Sequence, residues 1–162
     1  MTCTVTSECR EMKSGGPQSQ IFRGEGNNIG YSAVSGVQWW SEDRDIASQF
    51  GEVKTARVKP GSLVLRLVNP DGTKNEGGYA VLDEIARKHG VEFNVKNALG
   101  GACGEELFSD DGGVYVDDAR SFVTPGQELL AAVRTENYRV VHTDNIEGPA
   151  TMVLDQNAIV RD

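Results

Sequence analysis

Residues 37–51 read Val37-Gln38-Trp39-Trp40-Ser41-Glu42-Asp43-Arg44-Asp45-Ile46-Ala47-Ser48-Gln49-Phe50-Gly51. The first four are apolar enough for a strand. Ser41 is a competent helix cap, and Glu42, Asp43 and Asp45 fall where a helix presents its positive end. Ile46, Ala47 and Phe50 share one helical face, and Gly51 suits the stop. The unit is therefore strand, short capped helix, glycine. Adjacent strand residues point to opposite faces, so Trp39 and Trp40 divide into one core indole and one that lines a cleft.

Outward from this unit, strand signals dominate. Upstream, Ile21-Phe22-Arg23-Gly24 is a short strand entering a Gly, Asn and Ser-rich loop up to Gly36. Gly24-Glu25-Gly26 begins a dinucleotide fingerprint, but Ile29 stands where the third glycine is needed and no strand–turn–helix context supports one. Residues 1–20 are polar, end near Ser14-Gly15-Gly16-Pro17, and are expected to form a mobile arm. Downstream, Val53–Val58 reads as strand, Lys59-Pro60-Gly61 as a turn, and Leu63-Val64-Leu65-Arg66-Leu67-Val68 as the clearest strand, closed by Asn69-Pro70-Asp71-Gly72. Val81, Leu82, Ile85 and Ala86 make an amphipathic helix that stops at Gly90. Thr124-Pro125-Gly126-Gln127 carries a capping-box pattern with Pro125 at the first helical position, and Leu129, Leu130 and Val133 form the buried face. Short strands follow at Arg139–Thr143, Thr151–Leu154 and Ala158–Val160, with a polar loop 144–149 between the first two. Strands mixed with short helices, without βαβ alternation, predict an α+β fold.

The chain has 162 residues with 16 Lys+Arg against 24 Asp+Glu, a formal net charge of −8. That length is one domain's worth. The charge argues against tracking a nucleic-acid backbone over a broad face but allows a local basic pocket. No apolar run has the length of a membrane helix, and the opening residues lack the features of a signal peptide, so a cytoplasmic location is expected, in its own cell or in a host. Cys3, Cys9 and Cys103 form neither a disulfide framework nor a zinc knuckle, and no metal is expected. The pairs Asp110-Asp111 and Asp117-Asp118 lack EF-hand spacing and read as a solvated acidic loop. His89 ends a helix and suits its negative end, while His142 lies on a strand, where a structural role is expected ahead of one facing the pocket.

Three separated pieces resemble the ADP-ribosyltransferase-like family, in its small divergent phage and bacterial effector form. They are Phe22-Arg23-Gly24, then Trp39-Trp40-Ser41-Glu42-Asp43 leading to Ala47 and Phe50-Gly51, and the closing segment from Asn137-Tyr138-Arg139 to Leu154-Asp155-Gln156-Asn157-Ala158-Ile159. The strand ending in Asn69-Pro70 fits the same order. The resemblance covers residues 21–162 as a single domain and implies split antiparallel sheets with short flanking helices. It implies a mono-ADP-ribosyltransferase that moves ADP-ribose from NAD to a side chain of a target protein and releases nicotinamide. Phe22, Arg23, Gly24, Trp39, Trp40, Ser41 and Phe50 would hold NAD: Arg23 grips phosphate or ribose, Gly24 lets backbone approach the nicotinamide amide, and an indole faces its ring. The oxocarbenium-like transition state asks for a carboxylate beside the ribose. Arg23 with Glu147 or Asp144 is the catalytic set expected, with Gln156 as a third possibility. The family's strand-edge Glu aligns with Pro149-Ala150-Thr151, none of which is acidic. Two other readings therefore stand beside the enzyme: a catalytically inactive binding module of the same fold, and an RNA 2′-phosphotransferase-like enzyme, which the negative charge weakens.

Overall fold

The computed structural model describes residues 20–26, 34, 36–101, 103–109, 113–115, 122–145 and 147–162. The expected arm over residues 1–20, apart from Gln20, lies outside them, as do Cys3, Cys9 and both aspartate pairs. In chain order the elements are β1 (Gln20–Gly26), β2 (Gln38–Ser41), α1 (Arg44–Ser48), β3 (Gly51–Val58), β4 (Val64–Arg66), α2 (Glu76–Lys88), α3 (Val95–Gly101) and α4 (Gly104–Phe108). There follow β5 (Gly113–Tyr115), β6 (Phe122–Pro125), α5 (Gly126–Thr135), β7 (Val140–Asn145), β8 (Gly148–Val153), a 3-10 turn at Gln156–Ala158 and β9 (Ile159–Arg161).

The α+β class holds. Seven strands hydrogen-bond into one mixed sheet in the order β4-β7-β8-β2-β1-β3-β9, and β5 and β6 pair separately. The large sheet is not antiparallel throughout, because β4 runs parallel to β7. A parallel neighbour needs a crossover connection, and the helices between residues 76 and 135 supply it.

The sheet is strongly curled. β3 and β4 are five strand positions apart in the order, roughly 24 Å across a flat sheet. Yet only residues 59–63 join them, which fully extended reach about 20 Å. That link also reverses direction, with Ser62 N donating to Lys59 O at 3.2 Å and Gly61 at φ 84°. The two ends of the sheet must therefore approach each other, and Val64 of β4 shares a core with Ala56 and Val58 of β3 and Ile159 of β9.

Strand alternation sorts the two faces. On the inner, concave face lie Ile21, Trp40, Val64, Val140 and Val153, packed among strand residues and the 3-10 turn. On the outer face Leu65, Val141 and Met152 meet α2, α4 and α5 through Tyr79, Leu82, Phe108 and Val133. The helix α2 is set by its sequence. Asn75 Oδ1 accepts from Gly78 N at 2.8 Å, Glu76 opens the first turn, Arg87 and Lys88 close the last, and Gly90 leaves the helix at φ 68°.

Several boundaries move from their expected places for identifiable reasons. Asp43, not Ser41, caps α1: its carboxylate accepts from Asp45 N at 2.8 Å, while Ser41 Oγ accepts from Asp43 N one step earlier. Thr124 and Pro125 complete β6 rather than opening α5, which starts at Gly126. A Cβ at Gly126 would collide with the backbone of Phe108 and Ser109, so the helix start is fixed by close packing on α4. The loop expected over residues 144–149 is mostly strand, because β7 and β8 stay paired as far as Asn145↔Gly148.

Candidate functional site

The concave face carries a polar row at one end. Arg66 pairs with His142, His142 with Thr151, and Thr151 with Trp40, across β4, β7, β8 and β2. Residues directly opposite share a face, and each of these lies two positions from a member of the concave core, or in it. Glu42 follows Trp40 by two residues and closes the row. His142 is 3% exposed. Its Nδ1 lies 2.8 Å from Thr151 Oγ1 and 3.4 Å from Glu42 Oε2. A carboxylate only accepts, so the nitrogen facing it carries the proton, and in a neutral ring Nε2 is then the lone-pair atom. That Nε2 is buried without a hydrogen-bond partner among the described residues. Leaving such an atom unpaired costs ~1–3 kcal/mol, which marks the row as more than filler.

Electrostatics favour an ionised Glu42. The hydrogen bond from His142 holds its carboxyl below the usual glutamate value, and attraction to Arg66, and to His142 when it is protonated, adds to this against the opposing effect of burial. For Arg66, burial works against the cation and Glu42 offsets it. A folded pKa below the unfolded one stabilises the fold above about pH 4.5, and that contribution disappears as pH falls through the lower folded value. Urea midpoints measured from pH 7 down to pH 3 should therefore show a gap between wild type and Glu42→Gln that closes in acid. A gap constant with pH would break the assignment.

The sequence-predicted residues fall into three places. Arg23 sits on the concave face of β1: since Phe22 is opposite Ser41, Arg23 is opposite Trp40. Its Nη1 donates to Trp39 O at 2.7 Å and its Nε to Glu25 at 3.2 Å. Trp40 is a core residue, 1% exposed, with Nε1 donating to Gln38 Oε1 at 2.8 Å and the Arg161 guanidinium 5.2 Å from its ring centroid. No indole face is left open there for a nicotinamide ring. Trp39 faces the helices, half-buried, with its Nε1 unpartnered among the described residues.

The second place is the β1–α1 contact. A Cβ at Gly24 would run into the backbone of Ala47 and Phe50, so this glycine serves helix-on-strand packing and Phe50 is its neighbour. Phe22 lies under the Arg44 guanidinium, 5.9 Å from its ring centroid.

The third place holds Asp144 and Glu147, on and after β7, with β8 and β2 between them and β1. Asp144 Oδ1 accepts from Gly104 N at 2.9 Å and its Oδ2 lies 3.9 Å from Lys74 Nζ. Burial pushes the neighbouring Tyr79 phenol up, reinforced by Asp144 and Cys103. Burial likewise pushes the Cys103 thiol up, which leaves it a protonated, unactivated cysteine. Glu147 is exposed and takes Asn145 Oδ1 on its backbone N–H; its charge helps raise the Glu105 carboxyl, after burial. Gln156 is exposed in the 3-10 turn. Arg23 therefore stands one strand from the strand that leads to Glu42, and three strands from β7, which carries Asp144 and leads to Glu147.

Sequence reasoning missed Glu42, Arg66 and Thr151 as site residues and placed His142 in a structural role. The alternation Trp40-Ser41-Glu42 was a usable signal, since it puts Glu42 on the face of Trp40. Nothing local announces that Arg66 meets His142, because the parallel pairing that brings them together joins residues 76 positions apart. Two open surface recesses, of about 370 and 540 Å³, line α2, α5 and the loop after Gly90, and hold none of these residues. Among the described residues no group of three His, Cys, Asp or Glu side chains is placed to hold a metal ion, and no helix is long and apolar enough to cross a membrane.

No family model matches the chain, and no curated protein matches it. A solved structure titled "Crystal structure of an anti-CRISPR protein" is similar at a TM-score of 0.41 and 16% identity, over 91% of this chain and 100% of that one.

Proposed function

We propose that the chain is an ADP-ribosyltransferase-like domain that binds NAD and transfers ADP-ribose to a protein side chain, with Glu42 in the role expected of Asp144 or Glu147. One observation carries this reading: a guanidinium, Arg23, and a carboxylate, Glu42, flank Trp40 on a single face of adjacent strands. The chemistry needs that pairing. The bond from C1′ of the ribose to the nicotinamide nitrogen breaks with its electron pair going to nicotinamide, which neutralises the pyridinium. The target's nucleophile forms the new bond at C1′ and gives its proton to solvent. Between these events the ribose is cationic, and an oriented carboxylate stabilises it without itself changing. Glu42 is 39% exposed, ionised and held from behind by His142, so it is both accessible and oriented. Arg23 anchors the phosphate side. Trp40 forms the floor between them.

A second reading is favoured by a specific register. Ala150 stands opposite Ser41 and Thr151 opposite Trp40, next to Pro149, so β8 offers no carboxylate beside β2. A module of this fold that binds without turnover would look the same there.

Incubation with radiolabelled NAD and a cell lysate tests the enzyme, with nicotinamide release followed in parallel. Wild type should transfer label, and Glu42→Gln should lower the rate by about 10²–10³-fold. Absence of both transfer and NAD hydrolysis rejects the enzyme. Calorimetric NAD binding that persists in that case, indifferent to Glu42→Gln, identifies the binding module.

A further inference from the structure

Three cations line the concave rim on three neighbouring strands: Arg23 on β1, Lys54 opposite it on β3, and Arg161 on β9. Their common face follows from register. Arg161 is opposite Ala56 and Ala56 opposite Ile21, both in the concave core, and Arg23 and Lys54 are two residues along from that pair. The three side chains are 33%, 41% and 42% exposed, so they stand at the rim and not beneath it. Glu25 and Glu52 share that face, so three cations stand against two carboxylates, an excess of positive charge in a chain of net charge −8.

One carboxylate sits where two of the guanidiniums converge. Glu25 Oε2 lies 3.2 Å from Arg23 Nε and 3.0 Å from Arg161 Nη2, and its Oε1 lies 3.4 Å from Arg161 Nη1. Both arginines are also held by groups other than Glu25: Arg23 by Trp39 O at 2.7 Å, and Arg161 over the Trp40 ring. They would therefore keep their places if Glu25 left. Among the described residues Lys54 is engaged at the surface, 3.3 Å from Glu52, which is 77% exposed.

We propose that this rim is a binding site for a diphosphate-bearing ligand, with Glu25 as a built-in occupant that the ligand displaces. Two guanidinium forks sharing one oxygen is how arginines hold phosphate oxygens. A single carboxylate satisfies them incompletely. A diphosphate brings more charge and more acceptor oxygens, and Lys54, opposite Arg23 on the neighbouring strand, is the cation left for its second phosphate. The ligand class rests on the dinucleotide reading above. What is new is Arg161 and Lys54 as binding residues, and Glu25 as the group that sets affinity.

Calorimetric titration of the full chain with inorganic pyrophosphate at low salt tests this. Glu25→Gln should bind on the order of tenfold more tightly than wild type, and Arg161→Ala on the order of tenfold more weakly. Should Arg161→Ala fail to fold for want of its cover on Trp40, Arg161→Lys keeps the charge, loses the fork and should still bind more weakly than wild type. A Glu25→Gln protein that binds pyrophosphate no better than wild type, including no binding by either, overturns the proposal. ADP-ribose titrated alongside separates the sources: tighter binding than pyrophosphate marks a nucleotide-borne diphosphate, and weaker binding a free one. NAD turnover in the same samples separates the two proposals. Pyrophosphate binding enhanced by Glu25→Gln without turnover sustains the rim and rejects the transferase. Turnover indifferent to Glu25, Lys54 and Arg161 does the reverse.

Discussion

Alanine at position 24 is expected to destabilise the protein by about 3 kcal/mol or more, measured as a shift in the urea unfolding midpoint. The added Cβ would meet Ala47 O well inside contact distance, and Phe50 C and Cβ at 2.9 Å. Two of these three atoms are backbone, so no rotamer change relieves the clash. Only a retreat of α1 from β1 would do so. That retreat would open the seam beside Ser41 and Glu42, because α1 follows β2 directly. Gly100→Ala is the matched control. Gly100 lies in α3 with nothing within 4 Å of the added atom, so the same change there should be neutral or stabilise by roughly 0.5–1 kcal/mol through helix propensity. Equal costs at the two sites would show that helix-on-strand contact does not govern Gly24.

That contrast shows where the sequence was legible. Arg23-Gly24 suggests a backbone that approaches something closely, and it does; the partner is a helix of the same chain instead of a nicotinamide amide. A sequence reveals that Cβ is unwelcome without revealing what would occupy its place. The same limit applies along the fold. The strand at β7, the amphipathic α2 and the turn at Lys59–Gly61 follow from local periodicity and turn chemistry, which operate over a few residues. The parallel pairing of β4 with β7 is set by a crossover of four helices and two strands and has no local signature. Since Arg66 and His142 meet only through that pairing, half of the polar row was beyond reach. Glu42 was within reach, but its position next to a helix start suggested a dipole partner, and Asp43 took that role with a better-placed side chain. Asp144 was sought as a catalytic group because its loop looked free. The hairpin is in fact paired to Asn145, and Asp144 spends its carboxylate on Gly104 N and Lys74.

Truncating Trp40 to alanine should cost ~3–5 kcal/mol, more than the same change at Trp39. The two indoles are adjacent in sequence and opposed in space. Trp40 is 1% exposed and fills the interior of the curled sheet beside Ile21, Ala56 and Val153, strands that come from both sides of β2 in the order. Removing it empties the place where those strands meet, and Arg161 loses the ring beneath its guanidinium. Trp39 is only partly buried against the helix-side core, so its truncation removes less packing and also deletes an indole N–H that has no partner among the described residues. Losing an unpaired buried donor offsets part of the lost contact. Unfolding curves for the two alanine variants and for Trp40→Phe decide the matter, with the phenylalanine expected to recover most of the loss. If Trp40→Ala kept wild-type stability while abolishing ligand binding, Trp40 would be a ligand platform and not the floor of the concave face, and the placement of Arg23 and Glu42 on either side of it would have to be rebuilt.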